Sequence, residues 1–280
     1  MAEKQTIEAQ QNKIATRLDS VRHKILVLSG KGGVGKSSMT VNIAIALMQR
    51  GCRVGILDVD IHGPSVPVMM GIASPDLQTE GNEIVPPEIC GIRVMSIGLM
   101  LQSPSDPVIW RGPMKMKVIQ QLLSDVRWGD LDYLIIDSPP GTGDEPLSVC
   151  QLIKNMDGGV VVTTPQLISI ADVRRSVSFC RKINLPVLGI VENMSGFVCS
   201  GCGKVTNIFR SGGGRSLCDE MDVPFLGKVP IDPLIAEYSD NGEASAALQG
   251  DGITAKALQK IVAQIDNVVQ HRRGETDDRK

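Results

Sequence analysis

The sequence predicts an α/β protein with a doubly wound, mostly parallel sheet, on three observations. Short aliphatic runs recur along the chain, longer helical patterns separate most of them, and glycine-rich turns join the two kinds of segment. The runs are HKILVLSG, RVGILDVD, IRVMSIGL, YLIIDSPP, GGVVVTTP, PVLGIVEN and PFLGKVP. They are rich in Val, Ile and Leu with little polar alternation, as expected of strands buried on both faces of a parallel sheet. Helical patterns such as Ser37–Arg50 and Ile170–Lys182 follow most of them, which implies right-handed crossovers. No repeat of the kind that marks a solenoid is present.

Length and composition agree with this class. The 280 residues are 42% hydrophobic but only 3% aromatic, so the core is aliphatic, and that length suits one large α/β domain. Residues 1–22 read as a polar helical leader, 23–270 as the domain, and 271–280 as a charged tail without structure. The net charge of −2 provides no global field to attract nucleic acid or anionic lipid. The N-terminus has no apolar signal region, and no run is long enough to cross a bilayer. A soluble, cytoplasmic protein with no nucleic-acid or membrane partner is expected. The stretch ITAKALQKIVAQIDNVVQ is the one candidate membrane-surface helix, and packing on the core explains its period better.

After the first aliphatic run comes GKGGVGKS, Gly30 to Ser37, which fits the phosphate-loop pattern G-x-x-x-x-G-K-[ST] between a strand and a helix. The loop Gly30, Lys31, Gly32, Gly33, Val34 and Gly35 can turn its amides inward around phosphate oxygens, at the positive end of the following helix. Lys36 is expected to reach the β- and γ-phosphates, and Ser37 to ligate Mg2+ through its hard hydroxyl oxygen. Two acidic strand ends complete the site. RVGILDVD delivers Asp58 and Asp60 on one side of the chain. YLIIDSPPGTGD delivers Asp137, expected to hold Mg2+ through its water shell, with Gly141 near the γ-phosphate. Asp60 is assigned to position the attacking water, because phosphoryl transfer needs placement and charge neutralisation. Asp58 has an equal reading as a turn residue, and His62 reads as a loop residue rather than a base. ATP is expected as the nucleotide, since no guanine-recognition N/T-K-x-D motif is present. The expected reaction is slow hydrolysis of ATP to ADP and phosphate.

The loop KGGVGKS resembles the deviant loop of the ParA/MinD and nitrogenase-iron-protein class of ATPases. In that class the extra lysine, here Lys31, reaches across a dimer interface to the partner's nucleotide. The resemblance therefore implies a nucleotide-dependent homodimer. It also implies that Asn193 in IVENMS reads the adenine edge, with Pro230 and Asp232 of KVPIDP beside the base.

Seven cysteines are present. Most lie singly in apolar runs and read as reduced, buried thiols. Cys199 and Cys202 differ, because GFVCSGCGK sets them in a CxxC pair with glycine for the turn. A pair is half of a four-sulfur site, and the chain has no second CxxC. The missing ligands come from another chain, from Cys218 or not at all, and a symmetric dimer can supply them. Zinc and an iron–sulfur cluster are then equally compatible with four thiolates.

The stretches ILVLSGKGGVGKSS, ILDVDIHGPSVPVMMG, DYLIIDSPPGTGDE, VVVTTPQLISIADV and ENMSGFVCSGCG followed by IFRSGGG together resemble the Mrp/ApbC family of iron–sulfur cluster carrier ATPases. The resemblance runs from about residue 24 to 232. It implies a ParA/MinD-like P-loop fold and a homodimer that bridges a 4Fe-4S cluster through Cys199 and Cys202. It further implies that ATP governs transfer of the cluster to apo iron–sulfur proteins, with zinc as the alternative occupant. Ser38, which the resemblance places near the α-phosphate, departs from the family's usual threonine, and Ser200 from its usual proline. Cys218 has the reading of an accessory ligand beside that of a buried helix thiol. A partitioning or positioning ATPase is the alternative function, and a nitrogenase-like reductase ranks below it.

Overall fold

A computed structural model describes residues 2–61, 63–72, 77–101, 112–199 and 201–277. His62 and Ser200 lie outside the described residues. The strands are β1 (Val21–Ser29), β2 (Val54–Asp58), β3 (Gln78–Glu80), β4 (Glu83–Val85), β5 (Glu88–Ile89), β6 (Ile92–Ser96), β7 (Leu131–Asp137), β8 (Gly158–Thr163), β9 (Val187–Glu192), β10 (Phe197–Val198), β11 (Val205–Thr206) and β12 (Phe225–Lys228). The helices are α1 (Ala2–Leu18), α2 (Lys36–Gln49), α3 (Val66–Met69), α4 (Gly112–Asp125), α5 (Asp144–Leu152), α6 (Leu167–Lys182), α7 (Gly213–Met221), α8 (Pro233–Asp240) and α9 (Ile253–Asp277).

Among the described residues the main sheet has the order β12-β9-β8-β1-β7-β2-β6-β5. Its pairs are parallel except for the short edge strand β5, which runs antiparallel to β6. Every aliphatic run expected to be a strand lies in this sheet. Each is apolar on both sides because each is covered twice. Along β1, Ile25 and Val27 join the core beneath α2 and α9, while Leu26 and Leu28 join the core beneath α4, α5, α6 and α7. The chain passes from β1 to one side through β2 and β6, returns at β7, and continues on the other side through β8, β9 and β12. Strand order therefore reverses around β1, and the crevice at its carboxyl end is where such sheets place ligands.

Both ends of the chain differ from expectation. The leader is helical, but Ile14 and Leu18 are 1% and 3% exposed and pack into the core beside α4. They stand four residues apart, so one helix face buries both. Lys13 pairs with Asp125, and Arg17 pairs with Glu83, which ties α1 to the domain. The first strand begins at Val21, inside the stretch assigned to the leader. At the other end α9 runs through Asp277, so the stretch from His271 expected to lack structure continues the helix. Leu258, Ile261, Val262, Ile265 and Val269 of α9 are buried, as expected of a helix packed on the core. No helix among the described residues is long and apolar enough to cross a membrane.

A polar cluster is buried where α9 crosses the opposite end of the sheet. His23 Nδ1 lies 3.1 Å from Asp157 Oδ1, and the Tyr133 hydroxyl donates to Asp266 Oδ1 at 2.6 Å. The His23 and Tyr133 rings are 4.9 Å apart. Burial, then the Asp266 hydrogen bond, push the Tyr133 pKa well above the ordinary phenol value.

Candidate nucleotide and metal-thiolate sites

The parallel sheet brings the predicted acidic and phosphate-binding residues to one edge. β1 ends at Ser29 and runs into the glycine loop, where Gly33 and Gly35 take φ of 76° and 79°. These left-handed values suit glycine and let the loop curl before α2. The loop, Asp60, Ser65, Pro140 and the end of α8 at Ser239 and Asp240 line a cleft of about 460 Å³. Lys31, Lys36 and Ser37 all face this cleft.

Beneath the cleft β2 and β7 pair in register, so Asp58 stands beside Asp137. Both are fully buried. Lys36 Nζ donates to Asp137 Oδ1 at 2.8 Å and lies 3.5 Å from Asp60 Oδ2. The Ser37 hydroxyl donates to Asp137 Oδ2, and Thr40 Oγ1 donates to Oδ1 at 2.8 Å. Thr40 was not anticipated from the sequence. Its signal is helical spacing, since it lies one turn beyond Lys36 on the same face. Asp58 accepts from the Asp60 amide at 3.0 Å and from the Ser96 hydroxyl at 2.9 Å. Burial, then the charge of Asp137, push the Asp58 pKa up. Asp58 thus builds the turn that presents Asp60, the second of its two readings. Ser37 and Asp137 place two hard oxygen donors side by side, a donor set that suits magnesium.

Several predicted residues hold the site together from behind. A Cβ on Gly30 would sit 2.5 Å from the Asp172 carbonyl group, so this glycine lets β1 approach α6. Gly30→Ala is expected to cost about 1–3 kcal/mol, the usual penalty of overpacking. Chemical denaturation measures it, and wild-type stability would show that the loop and α6 part freely. The Val34 carbonyl accepts from Asn193 Nδ2 at 2.9 Å, so Asn193 ties the end of β9 to the loop. Ser38 Oγ accepts from Asn42 at 3.2 Å. Gly141 was expected near the γ-phosphate, but its amide donates to the Ser29 carbonyl at 2.8 Å. Asp232 caps α8, accepting from the Leu234 amide at 3.1 Å and the Thr254 hydroxyl at 2.6 Å. Pro230 is half-buried in the segment running beside Ser195 and Gly196.

The cysteine pair does not line the cleft. It sits at the tip of a hairpin formed by β10 and β11, which pair Phe197 with Thr206 and Val198 with Val205. Cys199 N donates to the Lys204 carbonyl at 3.0 Å, and Gly203 N donates to the Cys199 carbonyl at 2.8 Å. Gly203 takes φ of 69°, which a glycine adopts without strain. The Cys202 amide, the Gly201 amide and the Cys202 thiol hold the Cys199 pKa below the ordinary thiol value. The hairpin therefore favours a thiolate, the form that binds metal. Among the described residues no group of three His, Cys, Asp or Glu side chains could hold a metal ion.

The other cysteines divide by burial. Cys180 and Cys218 are buried, Cys52 and Cys150 half-buried, and all are free. Burial pushes the Cys150, Cys180 and Cys218 thiols up to about 12. Cys218 is a core thiol of α7 near the Pro224 carbonyl, placed as a packing residue rather than a ligand. Cys90 departs from the expected burial. It is exposed with φ of 50°, in the turn between β5 and β6.

Known proteins share this sequence and architecture. A family model described as the NUBPL iron-transfer P-loop NTPase, of the ParA group, matches residues 20–266. The chain is 48% identical over 258 residues to the cytosolic Fe-S cluster assembly factor Nubp2 homolog of Anopheles gambiae, covering 90% of this chain and 100% of that one. It is 46% identical over 268 residues to the iron-sulfur cluster carrier protein of Methanocaldococcus jannaschii, covering 95% and 92%. A solved structure of a nucleotide-binding protein from Archaeoglobus fulgidus in complex with ADP superposes with a TM-score of 0.75 at 38% identity, covering 84% of this chain and 92% of that one. The cell division ATPase MinD of Pyrococcus furiosus superposes at 0.64 with 24% identity, covering 88% and 99%, which shows the common fold. The chain belongs to the iron-transfer family of ParA-type P-loop NTPases.

Proposed function

We propose that the chain is an ATP-dependent iron–sulfur cluster carrier. It acts as a cytosolic homodimer that bridges one 4Fe-4S cluster as cargo and passes it to apo iron–sulfur proteins. One observation carries this reading. The hairpin offers two thiol ligands, the Cys199 thiol with its pKa lowered, and no third protein ligand accompanies them among the described residues. A cubane needs four thiolates, so two copies of the hairpin complete one site. The names of the relatives from Anopheles gambiae and Methanocaldococcus jannaschii support the same cargo. Anaerobic reconstitution with iron and sulfide tests it. The expected yield is about one cluster per dimer. Tight binding of zinc alone, with no cluster formed, would make the pair structural.

In this reading the loop amides and Lys36 hold the phosphates of ATP. Ser37 ligates magnesium, and Asp137 holds it through bound water. Magnesium would neutralise charge on the transferring phosphoryl group. Asp60 reaches the cleft from the turn built on Asp58 and positions the attacking water. Lys31, at the cleft, would reach the partner copy's nucleotide in the dimer. Asn193, bonded to the Val34 carbonyl, reads the adenine edge, with Pro230 and Asp232 beside the base. Hydrolysis is slow and coupled to cluster handling. Asp60→Asn is expected to keep ATP affinity and lower turnover on the order of 100-fold, a usual cost of losing a proton-handling or water-orienting group. Lys31→Ala is expected to slow turnover chiefly at concentrations where the dimer forms. Unchanged turnover in Asp60→Asn would move the water-positioning role elsewhere.

A further inference from the structure

The junction between the two sites is a strained turn clamped on both sides. β9 ends at Glu192, and both Glu192 and the following Asn193 are buried although polar. Asn193 faces the phosphate loop. A Cβ on Gly35 would lie 2.3 Å from Asn193 Nδ2 and 3.7 Å from the end of the Met194 side chain. Glu192 faces the other way. Its Oε1 accepts from the Ser195 hydroxyl at 2.5 Å, and its Oε2 accepts from the Gly214 amide at 2.7 Å, in the first turn of α7. Lys228 Nζ lies 3.8 Å from Oε1. Nothing in the phosphate chemistry uses Glu192, yet a fully buried carboxylate is retained only where its bonds matter.

Between these clamps the backbone is forced. Met194 takes φ of 55°, a left-handed value that non-glycine residues rarely adopt. Such strain persists only where surrounding contacts over-determine it. Here they do: Ser195 N donates to the Val229 carbonyl at 2.8 Å, and Ile231 N donates to the Gly196 carbonyl at 2.7 Å. Phe197, the next residue, begins the hairpin that carries Cys199 and Cys202. A shift of the phosphate loop at Val34 and Gly35 therefore meets Asn193 and Met194 first. Glu192 and Ser195 then decide whether the shift reaches the hairpin or is lost in the turn.

We infer that Glu192 is a positioning residue that couples nucleotide occupancy of the phosphate loop to the geometry of the Cys199–Cys202 hairpin, acting through Ser195 and the strained Met194 turn. The purpose of this coupling rests on the carrier reading, but its physical content does not require a cluster. Hydrogen exchange on the cluster-free full-length protein, with and without magnesium and a non-hydrolysable ATP analogue, tests it. In the wild type the analogue is expected to change exchange at the Cys199 and Gly203 amides by about fivefold or more, the lower range of site-to-site coupling. Glu192→Gln keeps the size and loses the charge. It is expected to leave analogue affinity unchanged and reduce that response to less than about twofold. Ser195→Ala removes a single hydrogen bond, and its response is expected to fall in the same direction. It decides the matter where Glu192→Gln does not fold. A wild-type hairpin indifferent to nucleotide would overturn the coupling, and full responses in the variants would overturn the role of Glu192. Failure of the wild type to bind a cluster would sink the carrier reading and leave the exchange result standing.

Discussion

Lys36→Ala is expected to abolish measurable ATP hydrolysis, with turnover down at least on the order of 100-fold, as when a preorganised charge at the transition state is removed. Its ammonium sits between Asp137 and Asp60 at the floor of the cleft, where the proposed ATP would bring the negative charge of its phosphates. The same substitution carries a cost without any nucleotide. Asp137 is fully buried beside Asp58, and Lys36 is the cation bonded to it. Breaking a buried ion pair from one side costs about 3–5 kcal/mol. The Ser37 and Thr40 hydroxyls remain on Asp137, which places the expected loss near the lower figure. Steady-state phosphate release measures the first effect and urea denaturation of nucleotide-free protein the second. Near-wild-type turnover would remove the loop from the catalytic site. Lost turnover with unchanged stability would mean that Asp137 relaxes toward solvent once its partner is gone.

Substitution of both Cys199 and Cys202 by Ala is expected to reduce bound iron and sulfide to background after reconstitution. In the proposed dimer this removes all four thiolates of the bridging site. Nucleotide affinity of the cluster-free protein is expected to stay within about twofold of wild type, because removing the two thiols leaves the Glu192–Ser195 junction and the hairpin backbone intact. The hairpin fold should survive, since the Cys199 amide and carbonyl pair with Lys204 and Gly203 through the backbone. Iron and sulfide analysis with absorption spectra gives the first result, and nucleotide titration the second. A full iron complement in the double variant would show that the cluster is held elsewhere. Ala at Cys180 or Cys218 provides the control. Those thiols are buried in the core and raised to about 12, so their loss should cost stability and leave cluster loading intact.

Much of the candidate site was legible because its signals are local. The loop from Gly30 to Ser37 is continuous in sequence, and its glycines and lysine announce phosphate chemistry without a tertiary partner. The CxxC pair is equally local, since a two-residue spacer forces both sulfurs to one turn. Thr40 was less visible, because a hydroxyl one turn into a helix has many ordinary explanations. Glu192 was invisible. Its partners Ser195, Gly214 and Lys228 lie on separate elements, and nothing in ENMSG marks a buried carboxylate.

The sequence by itself determined the seven parallel strands of the main sheet in their order along the chain, the phosphate loop and the paired thiols. In each case the physics is short-ranged: unbroken aliphatic runs demand cover on both faces, and fixed spacings set local geometry. Only the tertiary structure decided how those pieces meet. Sheet order put β7 between β1 and β2, and register then set Asp137 beside Asp58. The close approach of α6 explained Gly30, and the end of β9 gave Asn193 to the loop and Glu192 to the hairpin side. The packing of α4 turned Ile14 and Leu18 of the leader into core residues. Contacts of this kind join residues far apart in the chain. They depend on which strand lies next to which, and no short-range pattern records that.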